Sequence, residues 1–174
     1  MYNLCTLSHS HSPKTTMATR RDRLEAMCAK HVYIYTDGSC NTQTGDGGWA
    51  YLLRYDGYEK QASGYEAGTT NNRMELSAAV KALTALKEAC KATLTTDSQY
   101  LKKAFTDGWL ANWQKNGWKT ANKQPVKNKD LWLELLELDK KHSLDWTWTK
   151  GHANHPENEL VDTLALNARK SRRK

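Results

Sequence analysis

The sequence predicts an α/β fold: one mixed five-stranded sheet, an antiparallel meander followed by parallel strands, with helices on both faces. Three observations lead there. Three β-rich segments follow one another between His31 and Gly68, separated by short Gly-bearing links. Helical and strand-like segments then alternate to the C-terminal end, as crossover units require. The 174 residues, seven of them Trp, suit one domain with a sizeable core.

Taken in order, Val32-Tyr33-Ile34-Tyr35-Thr36 is β-branched and aromatic, and a Gly-rich turn through Gly45, Gly47 and Gly48 leads into a second strand, Trp49 to Leu53. Tyr55-Asp56-Gly57 signals a hairpin, and Lys60 to Glu66 forms a third strand closed by Gly68. Thr69, Thr70, Asn71 and Asn72 offer N-caps to a helix on which Leu76, Ala79, Val80, Leu83 and Leu86 recur at helical spacing. Thr93 to Thr96 is a short strand, and Ser98 is placed to cap the helix after it. Helices are expected over Trp109 to Asn116 and Asp130 to His142, with Pro125 interrupting between them. Leu144, Trp146 and Trp148 alternate with Asp145, Thr147 and Thr149 as in a half-buried strand, and a last helix begins near Pro156 and runs to about Lys170.

The formal charge of +7 favours a polyanionic partner, nucleic acid first. Four cysteines without a C-x-x-C pair indicate neither a zinc site nor a disulfide framework, and fit reduced thiols in a cytosol. No apolar run approaches the roughly 18 residues of a membrane span, and no signal-peptide core is present, so a cytoplasmic protein without a membrane partner is expected. Residues 1–30, rich in Ser, Thr and His, are expected to form a disordered extension. Their acid-poor start also resembles a weak organellar transit peptide, and Met17 is an alternative start. The domain is expected over residues 31–170, with 171–174 as a basic tail.

Four acids stand in separate contexts, and each has an ordinary reading. Asp37, in Thr36-Asp37-Gly38-Ser39, falls at or near a strand end, although Asp before Gly is also a common turn pair. Glu75 lies in the first turns of a helix, where it could complete a capping box with Asn72. Asp97 ends a strand and could serve only as a helix cap, and Asp162 could be a solvated acid of the last helix. Gathered in one cleft, four carboxylates repel unless hard divalent cations sit between them, and two such ions suit in-line attack on a phosphodiester. The chain reads as a metal-dependent nuclease.

These motifs, in this order, resemble the bacterial-type ribonuclease H family, ribonuclease HI, from about His31 to about Lys170. The resemblance implies a ribonuclease H-like fold and a monomeric endonuclease. It implies cleavage of the RNA strand of an RNA/DNA hybrid duplex to 5′-phosphate and 3′-hydroxyl ends, without marked sequence preference. Two Mg²⁺ ions, replaceable by Mn²⁺, would serve as cofactors. Asp37 and Asp162 would hold one ion; Asp37, Glu75 and Asp97 would hold the other. Glu75 would also accept from the RNA 2′-hydroxyl, the group that distinguishes RNA from DNA. Asn71, Asn72 and Gln99 would contact nucleotides. His152, in Lys150-Gly151-His152-Ala153-Asn154-His155, would relay a proton; a zinc reading of the two histidines is disfavoured because the other available ligands are carboxylates. His155 is read as structural, and Glu157 matches an acid placed close to the site.

Between Lys102 and Lys129 stand seven lysines and one acid, Asp107. Helix amphipathicity with core tryptophans would explain much of this. The resemblance instead implies a basic handle that grips the DNA strand, through Trp109, Trp113, Lys115, Trp118 and Lys119. The chain departs from the family in two places. Gln114 and Asn116 stand where cations are expected, and residues 40–48 lack the prolines of the usual Gly-rich loop.

Overall fold

The computed structural model describes residues 31–150 and 155–171. The expected order of elements is present. Strands β1 (His31–Cys40), β2 (Gly47–Tyr55) and β3 (Tyr58–Glu66) form the meander, followed by helix α1 (Asn71–Thr84) and strand β4 (Lys91–Thr96). Then come α2 (Gln99–Thr106), α3 (Trp109–Lys115), α4 (Lys129–Lys141), β5 (Ser143–Trp148) and α5 (Pro156–Lys170). The sheet order is β3-β2-β1-β4-β5, with β1 antiparallel to β2 and parallel to β4, so the earliest strand lies at the centre. The β2–β3 turn is the hairpin read from the sequence. Tyr55 pairs with Tyr58, and Asp56 and Gly57 both take positive φ, as a tight two-residue turn requires.

One boundary differs from expectation in a way that matters. Asp37 does not end its strand; β1 runs on to Cys40, and Asp37 pairs with Ala50 of β2. Gly38 continues the ladder opposite Trp49. A Cβ there would lie 2.2 Å from the Glu75 backbone nitrogen, so only glycine lets α1 lie directly on β1 at this level. The Asp-Gly pair therefore serves close packing, and the turn reading fails. At α1, Thr70 is the cap, its Oγ1 accepting from the Arg73 amide at 3.3 Å. Ser98 caps α2 as expected, accepting from the Leu101 amide at 3.2 Å.

Alternation along β2 divides the core between the two faces of the sheet. Tyr51 and Leu53 join Leu76, Val80 and Leu83 of α1, and Trp132 and Leu135 of α4, in the larger cluster. Ala50 and Leu52 point the other way, onto Val161 and Ala165 of α5. Burying a side chain of this size stabilises by about 1.5–3 kcal/mol. Helices thus cover both faces of the sheet, and the central strand that carries Asp37 is enclosed between them.

Candidate active site

The register of the sheet brings the acids together. Tyr35 pairs with Thr95 across the parallel β1–β4 ladder, so two residues further on Asp37 and Asp97 stand side by side, Asp97 just past its strand. The close approach at Gly38 delivers Glu75 from α1, and α5 delivers Asp162 from the opposite face. One cleft of about 440 Å³ is lined by Asp37, Glu75, Asp97 and Asp162 together with Asn71, Asn72 and Gln99. Residues separated by more than a hundred positions, each with an ordinary local explanation, share one wall.

Electrostatics sets this cleft apart. Asp37 is only 8% exposed, and its carboxyl is pushed up from 3.8 to about 8, first by burial and then by the charges of Asp97 and Asp162. The Gly38 amide hydrogen bond offsets this only in part. Glu75 is raised to about 7, again chiefly by burial. Against that shift, Ser98 Oγ donates to Glu75 Oε2, and Asn71 Nδ2 donates to Glu75 Oε1 at 2.7 Å. These bonds turn Glu75 into the cleft, which removes the capping-box reading. Asp37 and Glu75, raised first by burial and then by neighbouring acids, mark a site that lacks positive charge.

Asn158 supports the same conclusion. It is 4% exposed, lines the cleft, and its Oδ1 has no hydrogen-bond partner among the described residues. An acceptor buried without a donor is costly and calls for a partner. Oxygen donors dominate this wall, with carboxylates, amide carbonyls and the Ser39 hydroxyl but no thiol or imidazole among the described lining residues, a set that suits a hard divalent cation. The residues present therefore fit such an ion. Among the described residues, however, no three His, Cys, Asp or Glu side chains are already drawn close enough to form a closed metal cage.

Sequence reasoning missed several lining residues. Asn158 and Glu159 precede Asp162 by four and three positions on α5, a spacing that puts all three on one helix face and could have revealed them. Glu157, read as an acid near the site, points elsewhere. It binds Arg54 of β2, which also pairs with Glu59 at 2.6 Å. Ser98 was legible as a cap but not as the donor to Glu75, and Tyr100 gave no signal. His152 lies outside the described residues; His155 is the N-cap residue of α5 without a side-chain cap bond. Trp148 donates its indole N–H to the Asp97 carbonyl at 2.9 Å, while Lys102 Nζ sits 4.3 Å from its ring centroid.

The handle residues form a second surface. Trp109, Trp113 and Lys119 line a hollow with Asn112 and Asn116, and Lys115 is exposed at the end of α3. Trp113 lies 5.9 Å from Trp109, 6.4 Å from Trp118 and 5.6 Å from Trp132, ring centroid to centroid. The tryptophans are thus part surface and part packing against the core. A groove of about 840 Å³, lined by Asn71, Asn72, Trp113, Thr120, Gln124 and Lys127 among others, runs between this hollow and the acidic cleft.

An acid-lined cleft open to solvent, joined by a groove to a lysine- and tryptophan-bearing surface on a 3-2-1-4-5 sheet, is the layout of a nuclease of the α/β class. Comparison with known proteins narrows the class. The family model for RNase H matches residues 29–170. The chain is 56% identical over 139 residues to the ribonuclease H of Hydrogenovibrio crunogenus, covering 80% of this chain and 95% of that protein. It is 54% identical over 134 residues to the ribonuclease HI of Neisseria meningitidis serogroup B, covering 77% of this chain and 92% of that protein. Among solved structures it resembles LC9-RNase H1, described as a type 1 RNase H with the type 2 active-site motif. That match has a TM-score of 0.72 and 31% identity, covering 82% of this chain and 73% of the other. The chain belongs to the ribonuclease H family.

Proposed function

We propose that this chain is an endonuclease that hydrolyses the RNA strand of RNA/DNA hybrids, leaving 5′-phosphate and 3′-hydroxyl ends, with Asp37, Glu75, Asp97 and Asp162 as its catalytic carboxylates. The observation that carries this is the convergence of the four acids in one cleft, where Asp37 is driven to about 8 by burial and then by its acidic neighbours. Divalent cations, Mg²⁺ with Mn²⁺ able to replace it, would supply the positive charge and the Lewis acidity for attack by water on the phosphodiester.

The chain's own residues do the rest. Asp37 and Asp162 would hold one ion, and Glu75 and Asp97, with Asp37, would hold the other. Ser98 and Asn71 hold Glu75 by one oxygen each, which fixes its orientation in the cleft, and Glu75 accepts from the ribose 2′-hydroxyl of a bound RNA strand. Asn71, Asn72 and Gln99 bind nucleotides through amides, which donate and accept without adding charge. His152 relays a proton at the scissile phosphate. Trp109, Trp113, Lys115, Trp118 and Lys119 receive the DNA strand; phosphate contacts of this kind are indifferent to sequence and weaken steeply with salt. No helix of the described residues is long and apolar enough to cross a membrane. The cleft is built from one chain, which fits a monomer, and the composition fits the cytoplasm.

The test uses a strand-labelled RNA/DNA hybrid beside duplex RNA and duplex DNA, with Mg²⁺, Mn²⁺ or chelator. RNA-strand cleavage that requires the ion and is lost in Asp37→Asn is expected. Cleavage of duplex DNA, or hybrid cleavage that survives both chelator and Asp37→Asn, overturns the proposal. For the handle, Trp113→Ala should raise KM more than it lowers kcat; an unchanged KM assigns Trp113 to packing.

A further inference from the structure

An arginine side chain stays charged at any pH a protein meets, so a half-buried guanidinium calls for a partner. Arg54 bridges Glu59 and Glu157, and Arg73 bridges Glu66 and Asp130. Arg169, half-buried in the last turn of α5, pairs with no acid among the described residues. Its side chain makes a hydrogen bond from Nη1 to Ser39 Oγ at 3.0 Å, and the rest of its donor fork has no partner among them. Asp46, whose charge like that of Arg169 reaches the Cys40 thiol, receives the hydroxyls of Thr44 and Tyr65 and not the guanidinium.

The fold fixes this cation beside the acidic cleft. At Gly48 of β2 a Cβ would lie 2.1 Å from the Ala165 carbonyl oxygen and 2.6 Å from the Arg169 backbone nitrogen, so glycine there seats the end of α5 directly on the sheet. Ser39, which accepts from Arg169, lines the cleft two residues after Asp37. Along α5, Arg169 follows Asp162 by seven residues, so the two rise from one helix face about 10 Å apart. Arg169 is also separated from the handle. The groove to the handle leaves the cleft past Asn71 and Asn72 of α1, on one face of the sheet, whereas α5 covers the other face.

We propose that Arg169 binds a phosphodiester of the strand being cut, next to the scissile one, with Ser39 holding the guanidinium in place. The inference rests on the hybrid-cleaving reading above, in which the lysine- and tryptophan-bearing surface takes the DNA strand and leaves the RNA strand over the acids. The two-turn offset from Asp162 puts the guanidinium at a neighbouring phosphate, where it positions the RNA and takes no part in the chemistry. A fixed cation at this edge offsets part of the repulsion that an acidic cleft exerts on an arriving polyanion.

The experiment measures binding of an RNA/DNA hybrid in Mg²⁺ by the full-length Asp37→Asn protein, which leaves the hybrid intact, with and without Arg169→Gln. Arg169→Gln should raise Kd about 3–10-fold and make the log Kd against log salt slope shallower by about 0.7–0.9, the share of one phosphate contact. Arg169→Lys keeps the charge and should keep the slope. Hybrids carrying one neutral methylphosphonate at a time identify the strand: a single RNA-strand position at which neutralisation weakens the parent should cost nothing in Arg169→Gln. An unchanged Kd and slope overturn the proposal, as does a loss of sensitivity at a DNA-strand position or at no position. If the protein with Asp37 and Arg169 intact cuts the hybrid and Arg169→Gln binds like its parent, this inference alone fails; if the intact protein neither binds nor cuts the hybrid, the reading beneath it fails as well.

Discussion

Replacing Asp37 by Asn should destroy catalysis and yet make the metal-free protein more stable. Asn keeps the size of the side chain and removes the ionisation that the fold opposes. Burial, Asp97 and Asp162 keep Asp37 protonated to about pH 8, whereas its ordinary value is 3.8. The folded chain therefore retains a proton that the unfolded chain releases. The corresponding stability is whole below about pH 4 and is lost as pH rises towards 8. At about 1.4 kcal/mol per pK unit, the interval from 3.8 to neutrality sets a ceiling of about 4 kcal/mol. Water entering the open cleft and rotation of the carboxyl lower this to about 1–3 kcal/mol, or about 3–10 °C in melting temperature. Thermal melts in chelator at about pH 7.5 should show Asp37→Asn above wild type, with the difference gone at about pH 4. Saturating Mg²⁺ should close or reverse it, because ion binding stabilises the chain that has the ligand. A variant no more stable than wild type in chelator at neutral pH, or a gain equally large in acid, refutes the reasoning.

Three further outcomes follow from particular contacts. Trp148→Phe keeps a ring under Lys102 but removes the donor to the Asp97 carbonyl; kcat should fall about 3–10-fold with KM little changed, and an unaltered kcat returns Trp148 to packing alone. Gly38→Ala puts a methyl group 2.2 Å from the Glu75 nitrogen, so urea denaturation should show a loss of about 2–3 kcal/mol together with loss of hybrid cleavage, and wild-type stability would mean that α1 yields freely. His142, 4% exposed, has its imidazole pushed below the usual range by burial and by Lys141, so the fold excludes a proton that the unfolded chain accepts. Stability should fall by about 1 kcal/mol as pH drops from about 7.5 to 5.5, and His142→Gln should flatten that slope; an unchanged slope places the titration elsewhere.

The sequence by itself determined the local half of this protein. Hydrophobic period, caps and turn residues specified the type and order of the described elements, because each depends on contacts within a few residues: Ser98 on Leu101, Asp56-Gly57 in the hairpin, the Leu76–Val80–Leu83 stripe of α1. The four acids were legible only as family motifs, since each one alone also fits a turn, a cap or a solvated helix face. Only the tertiary structure decided that Asp37 lies within its strand, that Gly38 admits Glu75, and that Ser98 and Asn71 aim Glu75 into the cleft. It also turned Glu157 away to Arg54 while Asn158 and Glu159 line the cleft with Asp37. Electrostatic energy depends on separation through space and on burial, and neither quantity exists along an unfolded chain. The charge that Asp37 feels from Asp97 and Asp162, distant along the chain, appears only when the sheet register and the two covering helices set their separation.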